Sequence, residues 1–516
     1  MLAHQKMLLP KLYNTLSRNV EPIATRDGKV GIYCCGPTVY DVPHAGNARA
    51  ALVPDILVRL LRAFGLEVTY VRNITDVDDK ILDRAKQQGI SPLGLSAKMA
   101  VVYQDLMKQL GCVPPTHEPK VSENIDDIVQ LIQQIIARGS GYVLDRPNGT
   151  RDVYFSVRSF SSYGKLSRRK IDELQVGARI ERDEDKVDPL DFALWKGATA
   201  DEWGWESPLG RGRPGWHIEC SAMSERFLGH GFSVHTGGMD LIFPHHENEI
   251  AQSEAAHPDA GPMAQCWLHN GFLNVDKEKM SKSLGNFVTV PDVLVRNDAE
   301  GFRWFLLTAH YRAPLQLDTT TVDGRAIFPG IDEAERRVDY LYSTIERLAE
   351  FGPAQSDAKG VAKDLASFSD SIKRSIADAQ TALLDDINTP VALAALGELL
   401  KSANELCDLR QKRRKDPKLV QAAEQLGTEY RSAIVQITNW LGLLQSSPIE
   451  YRARTRDCRA KRRGVLIADI ESRISERVQA RQARDFARSD AIRDELSAWG
   501  VVVSDSPTGA TWSIGV

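Results

Sequence analysis

The chain has 516 residues, of which 42% are hydrophobic and 26% are charged, and its formal net charge is −4. That length exceeds what one hydrophobic core supports, so we expect about three or four domains. The composition is ordinary for a globular protein, and no apolar run approaches the roughly 20 residues that cross a bilayer, which argues against a membrane protein.

The first residues and the cysteines bear on the compartment. The segment from Met1 to Lys6 lacks the apolar core of a signal peptide, so we expect a cytoplasmic protein. Seven cysteines are scattered along the chain. An odd number without a secretory signal argues against a disulfide framework and for reduced thiols, some of which could bind a metal ion.

The first regular elements predict a parallel sheet. Residues 30–35 form a short apolar run closed by Gly36 and Pro37, which is typical of a buried strand. Apolar residues then recur at helical spacing over 57–64, and residues 67–72 form a second strand-like run. Strand, helix and strand in this order indicate a right-handed βαβ unit, so the loop after the first strand is a candidate ligand site.

The rest of the chain extends this pattern into several domains. We predict an α/β fold in which a doubly wound parallel-sheet domain of the Rossmann type carries an inserted subdomain and is followed by an α-helical bundle and a small C-terminal α/β domain. The predicted boundaries are 11–114 and 216–270 for the two halves of the sheet domain, 115–215 for the insertion, 271–331 for a junction domain, 332–445 for the bundle and 446–516 for the C-terminal domain.

Two short segments are suited to binding phosphate. Lys279-Met280-Ser281-Lys282-Ser283 places two ammonium groups and two hydroxyl groups in one loop, which suits a triphosphate clamp, although a solvated lysine loop is the alternative. In the segment from His44 to Asn47, Gly46 lets a phosphate approach the backbone at a helix start. A purely structural role for Asn47 as a helix N-cap is equally compatible with that segment.

A second constellation has the composition of a metal site. If Pro244 opens a helix, His245 and Glu249 are four residues apart and share one face. Together with Cys35 and Cys220 they make a donor set compatible with zinc. Sequence spacing alone neither joins these residues nor chooses between adjacent cysteines or adjacent histidines, and a hydrogen-bonded surface pair is the commoner form of such a histidine and glutamate.

Two basic blocks, at 410–415 and 452–463, lie in the C-terminal third of the chain. A single block of this kind is usually a solvated helix face. Two blocks in one region raise the expectation of contacts with a phosphate backbone, which points to a nucleic-acid partner.

The order of these motifs resembles the cysteinyl-tRNA synthetases, a family within the class I aminoacyl-tRNA synthetases. The resemblance rests on the segments 33–41, 73–80, 214–223 and 243–249, and on the two ATP-binding signatures at 44–47 and 279–283. The second signature matches in full. The first departs at two of four positions, Ala45 and Asn47, which leaves the contribution of Asn47 open.

The resemblance implies specific roles for these residues. It implies that one zinc ion is held by Cys35, Cys220, His245 and Glu249, and that the amino acid is contacted by Trp216, Thr75, His235 and Asp240. It implies ATP contacts from His44, Gly46, Asn47, Lys279, Ser281, Lys282 and Ser283, of which His44, Lys279 and Lys282 are the expected catalytic residues, with Mg²⁺ accompanying ATP.

The expected activity is ATP-dependent activation of L-cysteine and its transfer to tRNA(Cys), with zinc binding the substrate thiolate. The bundle and C-terminal domain are then expected to bind tRNA, and the resemblance implies a monomer. Two alternatives remain open. One is the related ligase that joins cysteine to an amino-sugar inositol, which has no need of an anticodon-reading extension, and the other is a catalytically silent tRNA-binding module with a structural zinc.

Overall fold

The computed structural model describes residues 9–170, 185–276, 278–279, 287–322, 325–352, 365–506 and 509–516. The chain begins with β1 (Lys11–Asn14), β2 (Asn19–Pro22), β3 (Lys29–Cys34), α1 (Ala45–Ala63), β4 (Glu67–Arg72), α2 (Asp79–Gln88) and α3 (Pro92–Gln109). β1 and β2 form an antiparallel hairpin, whereas β3 and β4 pair in parallel and are connected through α1. The predicted βαβ unit is therefore confirmed.

An antiparallel layer follows in the region predicted to be an insertion. Its elements are α4 (Ile125–Ala137), β5 (Gly141–Asp145), β6 (Arg151–Phe155), β7 (Phe192–Gly197) and β8 (Gly212–Pro214). The four strands pair in sequence order, each antiparallel to the next. The long excursion between two strands of the parallel sheet therefore folds as a sheet of its own.

The parallel sheet then resumes. Its second half contains α5 (Trp216–Leu228), β9 (Phe232–Gly238), α6 (Glu247–Ala256) and β10 (Ala264–Asn270). The strand order is β10-β9-β3-β4, and every pair is parallel. The carboxyl ends of all four strands consequently meet at one edge, which is where open α/β sheets bind their ligands.

No α-helix opens at Pro244. Residues Ile242–His246 form a π-helical turn, and α6 starts at Glu247. His245 and Glu249 nevertheless share a face across this junction, because Nε2 of His245 lies 3.0 Å from Oε1 of Glu249.

The remaining elements form a junction region, a helical bundle and a small terminal unit. The junction contains β11 (Leu273–Val275), β12 (Glu278–Lys279), α7 (Val290–Leu294), α8 (Ala299–Leu306), β13 (Leu315–Leu317), β14 (Thr320–Val322) and β15 (Arg325–Ile327). The bundle contains α9 (Pro329–Ala349), α10 (Ala366–Leu384), α11 (Thr389–Lys412) and α12 (Pro417–Leu441). The terminal unit contains α13 (Pro448–Arg463), α14 (Ile467–Gln482), α15 (Phe486–Ala498), β16 (Val501–Ser506) and β17 (Gly509–Ile514). Within the described ranges, no helix combines the length and the apolar character needed to cross a membrane.

The two faces of the parallel sheet pack into different cores. Because successive strand residues point to opposite faces, Ile32 and Cys34 belong to a core that continues into the helical bundle, whereas Tyr33 belongs to a core shared with the inserted layer. Cys35 follows Tyr33 and packs against that second core. This alternation assigns the two adjacent cysteines to different sides of the sheet.

A buried arginine joins α8 to the sheet domain and to the end of the bundle. Arg303 is fully buried and pairs with Asp55 of α1, and its other nitrogens donate to the carbonyl oxygens of Leu441 at 2.9 Å and Leu110 at 3.1 Å. The guanidinium therefore contacts three separate segments, each of which would lose a partner without it.

The basic block at 452–463 is used mainly inside the protein. Arg452, Arg459 and Arg462 of α13 pair with acidic residues of α9, and Arg454 pairs with Asp298 at the start of α8. Arg459 and Arg462 have only 3% and 10% of their side chains exposed. Neither the solvated-face interpretation nor the phosphate-contact interpretation therefore describes these four arginines. Three of them attach the terminal unit to α9 of the bundle, and Arg454 attaches it to α8 of the junction region.

We predict that Arg303→Met lowers the free energy of unfolding by about 3 kcal/mol or more, because it removes a buried charge from hydrogen-bonded partners that stay buried. The midpoint of urea unfolding, followed by tryptophan fluorescence, measures this. Arg336→Met is the matched control. Arg336 pairs with Glu333 in an exposed contact, so its removal should change stability by less than about 1 kcal/mol. Equal shifts for the two variants would contradict the assignment.

Candidate functional site

A cavity of about 430 Å³ opens at the carboxyl edge of the parallel sheet. It is lined by the loop after β3, the first turns of α1 and α5, and the segments that follow β9 and β10. The predicted site residues among its lining are Cys35, His44, Gly46, Asn47, Thr75, Trp216, Cys220, Asp240 and His245. Residues predicted from distant parts of the sequence therefore line one cavity.

The loop after β3 is shaped by a contact that only glycine permits. A Cβ atom at Gly36 would lie 1.5 Å from the carbonyl oxygen of Asn73, and the Gly36 amide donates to Oδ1 of Asn73 at 2.8 Å. The backbone of the loop is thus held against the end of β4. This contact places Cys35 at the cavity wall.

Four predicted metal ligands converge there. Sγ of Cys35 lies 3.7 Å from Sγ of Cys220 and 3.6 Å from Oε1 of Glu249, and His245 completes the group. One donor atom from each of the four residues lies within 4.8 Å of the others. Two sulfur atoms, one imidazole nitrogen and one carboxylate oxygen form a donor set that suits a tetrahedral zinc ion.

The structure separates the two adjacent cysteines. Cys34 is buried in the core on the opposite face, where burial raises the pKa of its thiol to about 12. Cys35 lies beside the other donors. The sulfur of Cys35 lies within donor distance of Cys220 and Glu249, so the geometry favours Cys35 over Cys34 as the ligand.

The charges of the cluster compensate one another. The hydrogen bond from Cys35 is the largest influence on Cys220 and lowers the pKa of its thiol to about 6. Burial alone would raise the pKa of Glu249, but the charges of His235 and His245 hold it well below its usual value. For His245 burial acts in the opposite direction and lowers the pKa. The neighbouring Glu249 and Cys220 outweigh it and raise the pKa of His245 to about 10. A bound metal cation would take the place of these protons.

A second layer of histidines surrounds the four donors. Nδ1 of His217 lies 2.9 Å from Nδ1 of His245, and Nε2 of His235 lies 2.8 Å from Oε2 of Glu249. On another side, Nδ1 of His246 lies 2.8 Å from Nε2 of His269. Such partners orient metal ligands and fix their tautomers. The sequence left His246 open as an alternative to His245 and did not assign His217 or His269 to the site. Only the concentration of histidines between 217 and 269 signals these two residues.

An overlapping donor set, Cys35 with His235, His246 and Glu249, also meets the distance criterion. Neither His235 nor His246 lines the cavity, whereas Cys35, Cys220 and His245 do. Only the set that includes Cys220 and His245 therefore presents a metal ion to a ligand in the cavity.

The expected amino-acid contacts divide into two groups. Trp216 is 41% exposed and stacks on the His245 ring, with centroids 4.5 Å apart, and Thr75 and Asp240 also line the cavity. His235 is fully buried, does not line the cavity and contacts the carboxylate of Glu249. This placement favours an orienting role for His235 over the direct amino-acid contact that we expected.

The expected ATP contacts of the first signature lie at the start of α1. The N-cap is His44, and Asn47 occupies the third helical position, where its Oδ1 accepts the backbone amide of His44 at 3.0 Å. Asn47 is therefore not the N-cap itself, as the structural alternative supposed, although its side chain does take part in capping. The His44 ring meets the Phe287 ring edge-on, with centroids 5.2 Å apart.

The lysine-serine loop is described only at its borders. Lys279 ends β12, which pairs with β11 opposite Asn274. Ser281, Lys282 and Ser283 lie outside the described residues. Phe287, the first described residue after the loop, lines the cavity beside His44. The loop therefore follows β12, and the chain after it resumes at the cavity wall.

Comparisons with protein families match most of the chain. A model for the tRNA synthetases class I (C) catalytic domain matches residues 21–325, one for the DALR domain matches 379–445, and one for the cysteinyl-tRNA ligase anticodon binding domain matches 464–512.

Similar proteins and structures were also found. Proteins named cysteine–tRNA ligase from Anaeromyxobacter sp. (strain K) and Oleidesulfovibrio alaskensis are 45% and 44% identical to this chain, each over 98% of its length and at least 99% of their own. A Mycobacterium tuberculosis methionyl-tRNA synthetase in complex with methionyl-adenylate superposes with a TM-score of 0.59 at 16% identity, covering 82% of this chain and 92% of the other. At that identity the structural likeness concerns the fold alone.

We predict that His235→Leu weakens Zn²⁺ binding by about 10- to 100-fold, because Glu249 loses the partner that orients its carboxylate. Competition with a colorimetric chelator measures the affinity. His117→Ala, at an exposed histidine outside the donor sets, is the control and should bind Zn²⁺ as the unmodified protein does. An unchanged affinity in His235→Leu would show that this layer does not support the metal ligands.

Proposed function

The chain belongs to the cysteine–tRNA ligase family of class I tRNA synthetases, and from this premise we propose how its cavity activates L-cysteine with ATP for transfer to tRNA(Cys). One observation carries the proposal. A sulfur-rich metal donor set and the start of α1, where phosphate is expected, line the same cavity. A substrate thiol and a nucleotide bound at these two places would be held side by side.

The donor set accounts for selection of cysteine over serine. The two amino acids differ by one atom, and packing alone discriminates such isosteres by only about 10- to 200-fold. A zinc ion held by Cys35, Cys220, His245 and Glu249 would supply a Lewis acid that takes the substrate sulfur as thiolate and binds a neutral alcohol far less well. Selection would then occur during binding.

The remaining cavity residues would position the amino acid. Trp216 stacks on His245 and leaves part of its ring exposed to the cavity, so it would cover the substrate beside the metal site. Thr75 and Asp240 offer a hydroxyl group and a carboxylate at the same wall. Asp240 is suited to pair with the α-ammonium group, which leaves the α-carboxylate directed toward the nucleotide.

Activation requires positioning and charge stabilisation more than acid–base chemistry. The cysteine carboxylate attacks the α-phosphorus of ATP, a carboxylate–phosphorus bond forms, and the bond to pyrophosphate breaks. We assign His44 to the phosphate groups and Lys279 with Lys282 to the β- and γ-phosphates, with Mg²⁺ expected to accompany ATP. A ribose hydroxyl of the tRNA then displaces AMP from the carbonyl carbon.

Binding of tRNA is assigned to the C-terminal half. Residues 412–415 form an exposed basic turn between α11 and α12, and these are the positive groups of the bundle best placed to meet a phosphate backbone. The match of 464–512 to an anticodon binding domain supports tRNA as the partner over the amino-sugar alternative. A monomer remains a prediction.

Two assays distinguish this function from its alternatives. Cysteine-dependent exchange of labelled pyrophosphate into ATP is expected for either cysteine ligase and not for a silent tRNA-binding module. Formation of cysteinyl-tRNA with a matched tRNA(Cys) is expected only for the synthetase. Exchange without any charging of tRNA would contradict the proposed function and favour the amino-sugar ligase.

Lys282→Ala should reduce the rate of cysteine-dependent pyrophosphate exchange by about 100-fold or more and leave cysteine affinity nearly unchanged, because the lysine acts on charge that develops in the transition state. The exchange rate and the KM for cysteine are measured together. Lys86→Ala removes an exposed lysine of α2 and is the matched control. A variant that loses cysteine affinity and exchange in equal measure would place Lys282 in ground-state binding instead.

A further inference from the structure

A second group of metal-binding side chains lies at the opposite edge of the parallel sheet from the cavity. Glu225 belongs to the last turn of α5, His230 lies in the turn before β9, and His257 is the residue that follows α6. One donor atom from each lies within 4.8 Å of the others. We propose that Glu225, His230 and His257 bind a divalent transition-metal ion such as Zn²⁺, at a site separate from the cavity and independent of the proposed function.

The distances suit one ion. Nε2 of His257 lies 3.0 Å and Nε2 of His230 lies 3.8 Å from Oε1 of Glu225, and the two imidazole centroids are 4.5 Å apart. Zinc holds nitrogen and oxygen donors at about 2.0–2.2 Å, so tetrahedral geometry separates its donors by roughly 3.3 Å. Movements of a few tenths of an ångström would therefore complete the coordination.

Two donor atoms of this group lack hydrogen bonds. Oε2 of Glu225 and Nε2 of His257 are buried and make no hydrogen bond with any residue in the described part of the chain, although His257 lies close to the carboxylate. A buried polar atom without a partner destabilises the fold, so such atoms usually meet a ligand, an ion or water. The side chains of the three residues are 19–29% exposed, so an ion and its water ligands can enter.

The surroundings favour a cation. The group lies where α5 and α6 both end, and the carbonyl groups at a helix C-terminus carry partial negative charge. Nδ1 of His230 contacts Oγ of Ser253 at 3.5 Å, which leaves Nε2 directed toward Glu225.

The position of the group gives the ion a structural consequence. α5 carries Trp216 and Cys220 in its first turns, and α6 carries Glu249 in its first turn. An ion held by Glu225, His230 and His257 would join the far ends of the two helices that supply the cavity. Three protein ligands leave at least one coordination position for water. The alternative is an ion pair between His257 and Glu225 that binds no metal.

Titration of the metal-free protein with Co²⁺ distinguishes these possibilities. The cavity site contains two thiolates and should give sulfur-to-cobalt charge-transfer absorption, whereas the Glu225–His230–His257 site should give only ligand-field bands. We expect two equivalents of Co²⁺ in the unmodified protein. A His230→Gln, His257→Gln double variant should bind one equivalent with the charge-transfer band intact, and Cys220→Ser should keep one equivalent that lacks it.

The controls separate this site from the cavity site. His310→Gln changes a histidine outside both groups and should still bind two equivalents. One equivalent in the unmodified protein, unchanged in the double variant, would overturn the proposal and leave the ion pair. If circular dichroism shows that the double variant does not fold, the Cys220→Ser variant tests the proposal instead. Loss of all Co²⁺ binding in Cys220→Ser would also overturn the proposal. Activity is not a readout, so failure of this proposal leaves the proposed function untouched.

Discussion

The cavity depends on one buried carboxylate. Glu249 is fully buried, and a charge in that position persists only when its partners compensate it. His235 holds one of its oxygens, and His245 and Cys35 meet the other. These partners come from β9, the turn before α6 and the loop after β3, so a single ionised group fixes three segments of the sheet edge relative to one another.

The wider architecture keeps that edge in place by burying arginines against acids. Arg303 joins the sheet domain to the end of the bundle, and the arginines of α13 attach the terminal unit to α8 and α9. The basic residues of α13 are therefore mostly neutralised within the protein. Residues 412–415 stay exposed in the turn between α11 and α12 and offer positive charge through which the bundle would meet tRNA.

Local patterns in the sequence predicted the βαβ unit, the presence of an inserted subdomain and the helical C-terminal region, because each depends on neighbouring residues, whereas the antiparallel pairing within the insertion was not predicted. Resemblance to a family was needed to join Cys35 with Cys220 and to prefer His245 over His246. No local pattern could show that His217 would contact His245 or that His269 would contact His246, since both contacts form only when distant strands and helices meet. The internal ion pairs of the basic block at 452–463 could not be predicted for the same reason, because its acidic partners lie more than a hundred residues away along the chain.

X-ray absorption at the zinc edge tests the central claim most directly. In the His230→Gln, His257→Gln double variant, which lacks the second proposed site, two sulfur neighbours are expected for zinc before any substrate is added, from Cys35 and Cys220. Addition of L-cysteine should raise the count to three, and addition of L-serine should leave it at two. A sulfur count that stays at two with saturating cysteine would contradict selection through a zinc–thiolate bond.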